Sequence, residues 1–460
     1  MKNFYNDIRK ELDEVSTSFC LAKWSQLTLY LQNGYNHSCH HPTPHKIPLR
    51  ELEKNYKALH NTKYKKRQMK QMLKGQRPSE CEYCWKIEDL GDDKVSDRVY
   101  KSSEPWSKPH FDEIVSSDWK KDFNPRYVEV SFSNTCNFKC SYCGPAYSSK
   151  WLQESKEHGA YPTTPPFNGY DSLVSENSVP ILQSEYNPYV DAFWKWWPEL
   201  YNDLNTFRIT GGEPLLSKDT WKVLDYIIEN PNPNRELKFA INSNLGVIDD
   251  LIDRLIEKLK IIIGENRVKE IILFTSVDAW GKQAEYIRNG LVFNKFWDNL
   301  NKILETLPTV TVTIMSTYNI MSPFSYNTLI KNVHQLKSQY QNDSRYWLHP
   351  IHLDTSYLRY PSHQSVRLLD NEHKKLILDN AELALYLGVP VFNRTDMGMT
   401  QVETEKIKRI YDWAISEDGN NLQRERQNFK RFVDEHDRRR GTNFVETFPE
   451  LEEFYKNIKL

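Results

Sequence analysis

The sequence predicts an α/β fold: a partial (β/α)6 TIM-like barrel over residues 120–355, with an insertion at about 152–205. A small α+β cysteine-rich module over 1–105 precedes it, and a mainly helical extension over 356–460 follows. Three observations predict this arrangement. Short apolar runs that end in small polar residues alternate with helical patterns through the middle of the chain. The cysteines fall into two groups, Cys20, Cys39, Cys81 and Cys84 upstream and Cys136, Cys140 and Cys143 on one later loop. The final stretch is rich in charge and carries no further βα alternation.

Taking the elements in order, Leu27, Leu29 and Leu31 alternate as in a strand, and Asn33-Gly34 is a hairpin turn signal. Cys20 and Cys39 would flank that hairpin. Leu49 to Leu73 is helical in pattern, and Cys81-Glu82-Tyr83-Cys84 supplies a C-x2-C pair. Arg126 to Phe132 reads as a strand from its β-branched and aromatic content. The span from Trp151 to Asn205 is longer than a βα connection needs and reads as a flap-like insertion, whose last helix buries Phe193, Trp194, Trp196 and Trp197. Thr206 to Thr210 is a strand running into Gly211-Gly212-Glu213-Pro214. Leu237 to Asn244 is a strand, and Asp249 to Lys260 has apolar residues at helical spacing. Glu270 to Ala279 is a strand, and Lys282 to Phe296 is expected to be one helix carrying Tyr286-Ile287-Arg288. Thr309 to Met315 is an alternating strand with Asn319 beyond it, and Trp347 to Leu353 is a weaker sixth. Glu372 to Leu387 and Val402 to Arg440 are largely helical and would cover the barrel's open side.

Composition narrows the class. With 460 residues, 39% hydrophobic and 27% charged, the chain has ample material for a core and is not disordered. No apolar run approaches the roughly 18 residues of a membrane span, and the first residues lack a signal-peptide core. A cytoplasmic enzyme with no membrane partner is the expectation. The net charge of −1 gives no overall pull toward nucleic acid, so an RNA-modifying role would need local patches. The basic run Lys63 to Lys70 reads as a solvated helix face. Grouped cysteines in a reducing compartment point to metal ligands or catalysis rather than disulfides.

The chemistry lies in the later cysteine group. Cys136, Cys140 and Cys143 have the spacing C-x3-C-x2-C on a loop after a strand. Three thiolates can hold three irons of a 4Fe–4S cubane and leave the fourth open to a non-protein ligand. A structural zinc knuckle short of one ligand, or three packed thiols, is the plainer alternative. Gly211-Gly212 permits a close backbone approach, with Glu213 directly after it; an ordinary turn with a capping Glu is the plainer reading. Arg288 alone could be a solvated side chain.

Together these residues resemble the radical S-adenosylmethionine enzymes, whose signature is this cysteine loop with an aromatic residue, here Tyr142, before the last cysteine. The resemblance implies that Cys136, Cys140 and Cys143 hold a 4Fe–4S cluster whose open iron chelates S-adenosylmethionine. One electron then cleaves the sulfonium to methionine and a 5′-deoxyadenosyl radical, which abstracts hydrogen from the substrate. It further implies cofactor contacts from Tyr142, Gly211, Gly212, Glu213, Asn242, Ser243, Ser276 and Arg288, with Glu213's segment on the ammonium and Arg288 on the carboxylate. A small flavodoxin- or ferredoxin-type protein would donate the electron.

The upstream cysteines resemble the auxiliary-cluster modules called twitch and SPASM, placed here before the barrel instead of after it. That resemblance makes Cys20, Cys39, Cys81 and Cys84 ligands of a second 4Fe–4S cluster. Zinc, including a mixed site drawing on His40, His41 or His45, stays open. The substrate is a peptide, a protein or a small molecule. The alternatives are a zinc-stabilised binding protein that has lost catalysis, and an RNA-modifying radical enzyme.

Overall fold

The computed structural model describes residues 2–91, 93–341, 349–388, 398–416 and 421–460. Nine strands make one sheet: β1 (Gln26–Tyr30), β2 (Tyr35–His37), β3 (His45–Lys46), β4 (Tyr127–Ser131), β5 (Thr206–Thr210), β6 (Lys238–Asn242), β7 (Glu270–Ser276), β8 (Thr311–Tyr318) and β9 (Ile351–Tyr357). Their order is β9-β8-β7-β6-β5-β4-β1-β2-β3. From β1 to β9 every neighbouring pair is parallel, and β2 pairs antiparallel with both β1 and β3.

Along β7 and β8 buried residues alternate with half-buried ones. A strand's side chains point to opposite faces in turn, so one face is packed under helices and the other lines an accessible concavity. The crossover helices Lys218–Glu229, Asp249–Gly264, Phe293–Thr306 and Pro323–Gln339 bury their apolar stripes on the outer face. All parallel strands therefore end at one rim, and the polar residues at their C-terminal ends are brought together there.

The hairpin expected near Cys20 and Cys39 is present, with Thr28 opposite His37. It is not confined to the first 105 residues' own packing. β1 pairs with β4 from Gln26–Tyr127 to Tyr30–Ser131, so it is the first parallel strand of the central sheet. The expected helix over Leu49 to Leu73 is interrupted: Leu49–Leu52 and Lys63–Leu73 are α-helical and Tyr56–Leu59 is a 3-10 turn. Asn55 and Thr62 cap the later pieces, accepting from the backbone N–H of Lys57 and Lys65. The basic run is not wholly solvated. Lys65 is buried, with its Nζ 2.7 Å from His60 Nδ1.

The helix expected over Lys282 to Phe296 divides in two. Gly281–Ile287 is helical, Arg288–Asn289 is a two-residue strand, and the chain turns at Gly290 before Phe293–Thr306. Gly290 has φ +108, and a Cβ there would stand 2.8 Å from the carbonyl oxygen of Asn137. The expected strand over Trp347 to Leu353 is β9, shifted to Ile351–Tyr357; residues 347 and 348 lie outside the described residues.

Between β4 and β5 run the helices Ser149–His158, Tyr170–Ser175 and Pro188–Asp203. Phe193, Trp196 and Trp197 are fully buried and belong to the core, whereas Trp194, expected with them, is only half-buried and donates Nε1 to Asp219 at 2.8 Å. Helix Gln401–Ile415 lies against β9, where Glu403 accepts from the Leu353 N–H at 2.7 Å and pairs with buried Lys337. Among the described residues no helix is long and apolar enough to cross a membrane.

Candidate functional site

β4 delivers the chain at Ser131 to the loop that carries Cys136, Cys140 and Cys143. Its backbone is held on all sides. Ser149 Oγ accepts from the Cys136 N–H at 3.1 Å, and Ser148 Oγ donates to the Phe138 carbonyl at 2.7 Å. Trp151 Nε1 donates to the Cys140 carbonyl at 2.9 Å, and Asn168 donates to the Cys143 carbonyl at 2.7 Å. Lys139–Cys140 pairs antiparallel with Arg288–Asn289, which places Cys140 opposite Arg288.

The Gly211-Gly212 turn after β5 lies directly on this loop. The Gly212 N–H donates to the Ser133 carbonyl at 3.2 Å, and the Glu213 N–H donates to the Thr135 carbonyl at 2.8 Å. A Cβ on Gly212 would stand 2.4 Å from the Thr135 oxygen, so no other residue fits.

Above the loop opens a cleft of about 880 Å³, lined by the three cysteines. Tyr142, Gly211, Gly212, Glu213, Asn242, Ser243, Ser276 and Arg288 line the same cleft, so all eight residues singled out from the sequence converge with the three thiols. Glu213 is buried, with one carboxylate oxygen accepting from the Leu215 N–H at 3.0 Å and the other from the Asn244 N–H at 2.6 Å. Burial pushes its carboxyl up to about 7, against the pull of those backbone donors and of the Ser243 hydroxyl. The capping contact expected of an ordinary turn is therefore present, together with a second tie to the β6 end.

Arg288 is buried and forked onto Asp278, Nε to Oδ2 at 2.8 Å and Nη2 to Oδ1 at 3.0 Å. Its remaining arm, Nη1, reaches Ser276 Oγ at 3.0 Å and lies 3.7 Å from Cys140 Sγ. Tyr142 also donates to Asp278, at 2.7 Å. Asn242 Oδ1 accepts from Arg208 Nε at 3.0 Å. Burial raises all three loop thiols, Cys143 to about 12, and the Arg288 charge opposes this at Cys140. Thiols raised by burial ionise when a cation takes the proton's place, and that is the chemistry of an iron–thiolate site. Three thiols at the mouth of an open cleft, with a guanidinium beside one of them, fit a 4Fe–4S cluster with one free corner and a carboxylate-bearing ligand above it.

The upstream cysteines also meet. Cys20, Cys39, Cys81 and Cys84 line one small pocket, together with Lys23, Arg98 and Lys101. Lys23 and Arg98 are buried, paired with Glu80 and with Glu88 and Asp13 respectively. Burial raises the thiols of Cys20, Cys81 and Cys84. Four thiols gathered in one place fit a thiolate-bound metal group, and the cations beside them, though already paired with carboxylates, are compatible with its negative charge. Among the described residues no three His, Cys, Asp or Glu side chains are placed to hold a single metal ion. His41 is held by Asp97 at 2.7 Å and stacks on Tyr83, and His45 contacts Thr62 at 3.2 Å.

Residues 130–320 match the family model described as the Radical SAM superfamily. GTP 3′,8-cyclase of Vibrio cholerae serotype O1 is 25% identical over 162 residues, which are 32% of this chain and 39% of the cyclase. The chain thus spans about two fifths of that relative's length. Two solved structures are also similar: native anSMEcpe with bound AdoMet (14% identity, TM-score 0.34, 58% of this chain and 61% of that one) and a histidine-tagged form of it, also with bound AdoMet (14%, 0.37, 60% and 61%).

Sequence reasoning gave no role to Asp278, which lies just beyond the β7 end at Ser276. It missed the second tie of Glu213 to Asn244. Arg208 and the C-terminal helix residues behind the cysteine loop had no signal at all, because only folding brings them near.

Proposed function

We propose that this chain is a radical S-adenosylmethionine enzyme that removes hydrogen from a peptide, protein or small-molecule substrate. The observation that carries the reading is the convergence of the three loop thiols, the Gly-Gly-Glu turn and Arg288 on one cleft. When bound, the 4Fe–4S cluster supplies the electron that splits the sulfonium of S-adenosylmethionine into methionine and the hydrogen-abstracting 5′-deoxyadenosyl radical.

The chain's own residues account for binding and orientation. Cys136, Cys140 and Cys143 ligate three irons and leave one corner for the amino and carboxylate groups of S-adenosylmethionine. The turn at Gly211-Gly212-Glu213 offers backbone and carboxylate oxygens to the ammonium. Arg288 turns Nη1 toward the cleft while Asp278 fixes its other two donors, so the guanidinium is oriented before a carboxylate arrives. Tyr142 locks Asp278 in place. Asn242, Ser243 and Ser276 offer neutral hydrogen-bonding groups to the rest of the cofactor. Thr275 and Phe274 complete the cleft wall.

Cys20, Cys39, Cys81 and Cys84 are assigned to an auxiliary 4Fe–4S cluster in a twitch-like site. The support is four thiols standing around one cavity that buried cations also line. Zinc is the competing occupant. A flavodoxin- or ferredoxin-type protein is the proposed reductant.

Anaerobic incubation of the reduced, iron-replete protein with S-adenosylmethionine tests the reading. Release of 5′-deoxyadenosine is expected, and deuterated candidate substrates that pass label into it identify the substrate. Iron-replete protein that forms none would be a binding protein that has lost catalysis.

A further inference from the structure

We propose that Arg440, at the end of helix Leu422–Arg440, is a positioning residue of the cleft: it fixes the cysteine loop from behind and puts a second cation beside Cys140. The inference rests on the cluster reading above and gives the C-terminal extension a function.

Helix Leu422–Arg440 ends at Gly441, whose φ of +64 closes it with a left-handed residue. The Arg440 side chain is 1% exposed, and its Nη1 donates to the Lys139 carbonyl at 2.8 Å, between Phe138 and Cys140. The guanidinium lies 4.7 Å from the Trp151 ring centroid, and Trp151 itself donates to the Cys140 carbonyl. Two consecutive carbonyls of the loop are therefore held by one Arg–Trp stack. His436, one turn earlier, receives Nη1 at 2.9 Å.

The same helix grips the strand opposite Cys140. Tyr286 stacks on His436 with ring centroids 4.5 Å apart and donates to Asp437 at 2.9 Å. Two residues on, Arg288 pairs with Cys140. Helix Leu422–Arg440 thus backs both members of the two-strand ribbon that carries Cys140 and Arg288. Cys140 faces Arg288 in the cleft and has Arg440 behind it.

The charge around Arg440 is only partly cancelled. Glu154 is its acidic neighbour, with Nε 3.5 Å from Oε2. Glu154 is shared with Lys139 at 2.5 Å, with Arg439 at 3.9 Å and with the Tyr161 hydroxyl at 2.7 Å. Arg439 is paired more closely with Glu435, at 2.6 Å, so the Glu154 carboxylate is divided between Lys139 and Arg440 and neutralises neither fully. A positive charge fixed beside a cluster ligand favours the reduced, more negative state.

The test compares wild type, Arg440→Gln, Arg440→Lys and, as control, Arg438→Gln. Arg438 is exposed and pairs with Glu435, away from the loop. Two readouts are taken. One is the potential of the EPR signal that responds to S-adenosylmethionine in holoprotein. The other is amide exchange of residues 136–143 in metal-free protein. Arg440→Gln should lower the potential and speed exchange about tenfold or more, the effect of one lost charged hydrogen bond. Arg440→Lys should recover the potential more fully than the exchange, because it keeps the charge and loses the planar fork. Arg438→Gln should match wild type in both.

Wild-type potential and exchange in Arg440→Gln would overturn the proposal. So would an equal drop in melting temperature in the Gln and Lys variants with loop exchange unchanged below the melt, which would make Arg440 a stability residue only. If wild type itself loads no cluster at the loop, the functional reading fails and the charge effect falls with it. The exchange comparison still decides whether Arg440 holds the loop.

Discussion

Asp278 holds Arg288 by both carboxylate oxygens in a fully buried ion pair, at 2.8 and 3.0 Å, and thereby decides which arm of the guanidinium faces the cleft. Tyr142 and the Thr317 N–H donate to the same carboxylate at 2.7 Å each. Four donors saturate it. Removing one partner of a buried pair leaves an uncompensated charge, so Asp278→Ala should destabilise the fold by about 3–5 kcal/mol. Asp278→Asn keeps the shape and some acceptors, and should cost less. Urea unfolding of both variants measures this. A cost below about 1 kcal/mol for the Ala variant would show that solvent already reaches the pair.

Glu213 is the second sensitive carboxylate. Glu213→Gln turns one acceptor into a donor facing a backbone N–H, either that of Leu215 or that of Asn244. It also removes the charge offered to an ammonium, a contact contributing about 1.5–3 kcal/mol. Affinity for S-adenosylmethionine should fall about tenfold to a hundredfold, read by calorimetry on the anaerobic holoprotein. Unchanged affinity would leave Glu213 as a structural cap between β5 and β6.

Gly212 offers a purely steric test. A methyl group there would lie 2.4 Å from the Thr135 carbonyl oxygen, and that atom belongs to the cysteine loop's own backbone. Gly212→Ala should therefore displace the loop, cost about 1–3 kcal/mol and reduce iron loading at Cys136, Cys140 and Cys143. Wild-type iron content and stability in this variant would mean that the loop moves freely against the turn.

The upstream site separates by metal analysis. Two cubanes would give about eight irons in anaerobically purified protein, and the Cys81→Ala/Cys84→Ala variant should keep about half. S-adenosylmethionine should still bind that variant. About four irons with one zinc in wild type would assign the four upstream thiols to zinc instead.

Much of this was legible in the sequence, for a physical reason. Strand ends such as Asn242-Ser243 and Ser276 announce themselves because β-branched runs stop at small polar residues, and parallel strands bring those ends to one rim. The cysteine loop is legible because its ligand spacing is local. Helix boundaries were less so. The helix expected through Arg288 breaks because Gly290 must approach Asn137, a contact about 150 positions away that periodicity cannot register. The hairpin strand β1 read as part of a separate module because its neighbour β4 lies about 100 residues later. Lys65 looked solvated among its basic neighbours, yet it is buried beside His60. Arg440 sat in a run of three arginines, of which Arg438 is exposed while the side chains of Arg439 and Arg440 are buried, and only the packing of helix Leu422–Arg440 on the cysteine loop separates them.

The most direct measurement is 5′-deoxyadenosine release by anaerobically reduced wild-type protein, set beside the Cys136→Ala, Cys140→Ala and Cys143→Ala variants with total iron counted in each. Two thiolates cannot hold a cubane with one corner open, so each variant should lose about half the iron and all of the release. Release at the wild-type rate from any one of the three would contradict the assignment of these cysteines to the cluster that cleaves S-adenosylmethionine.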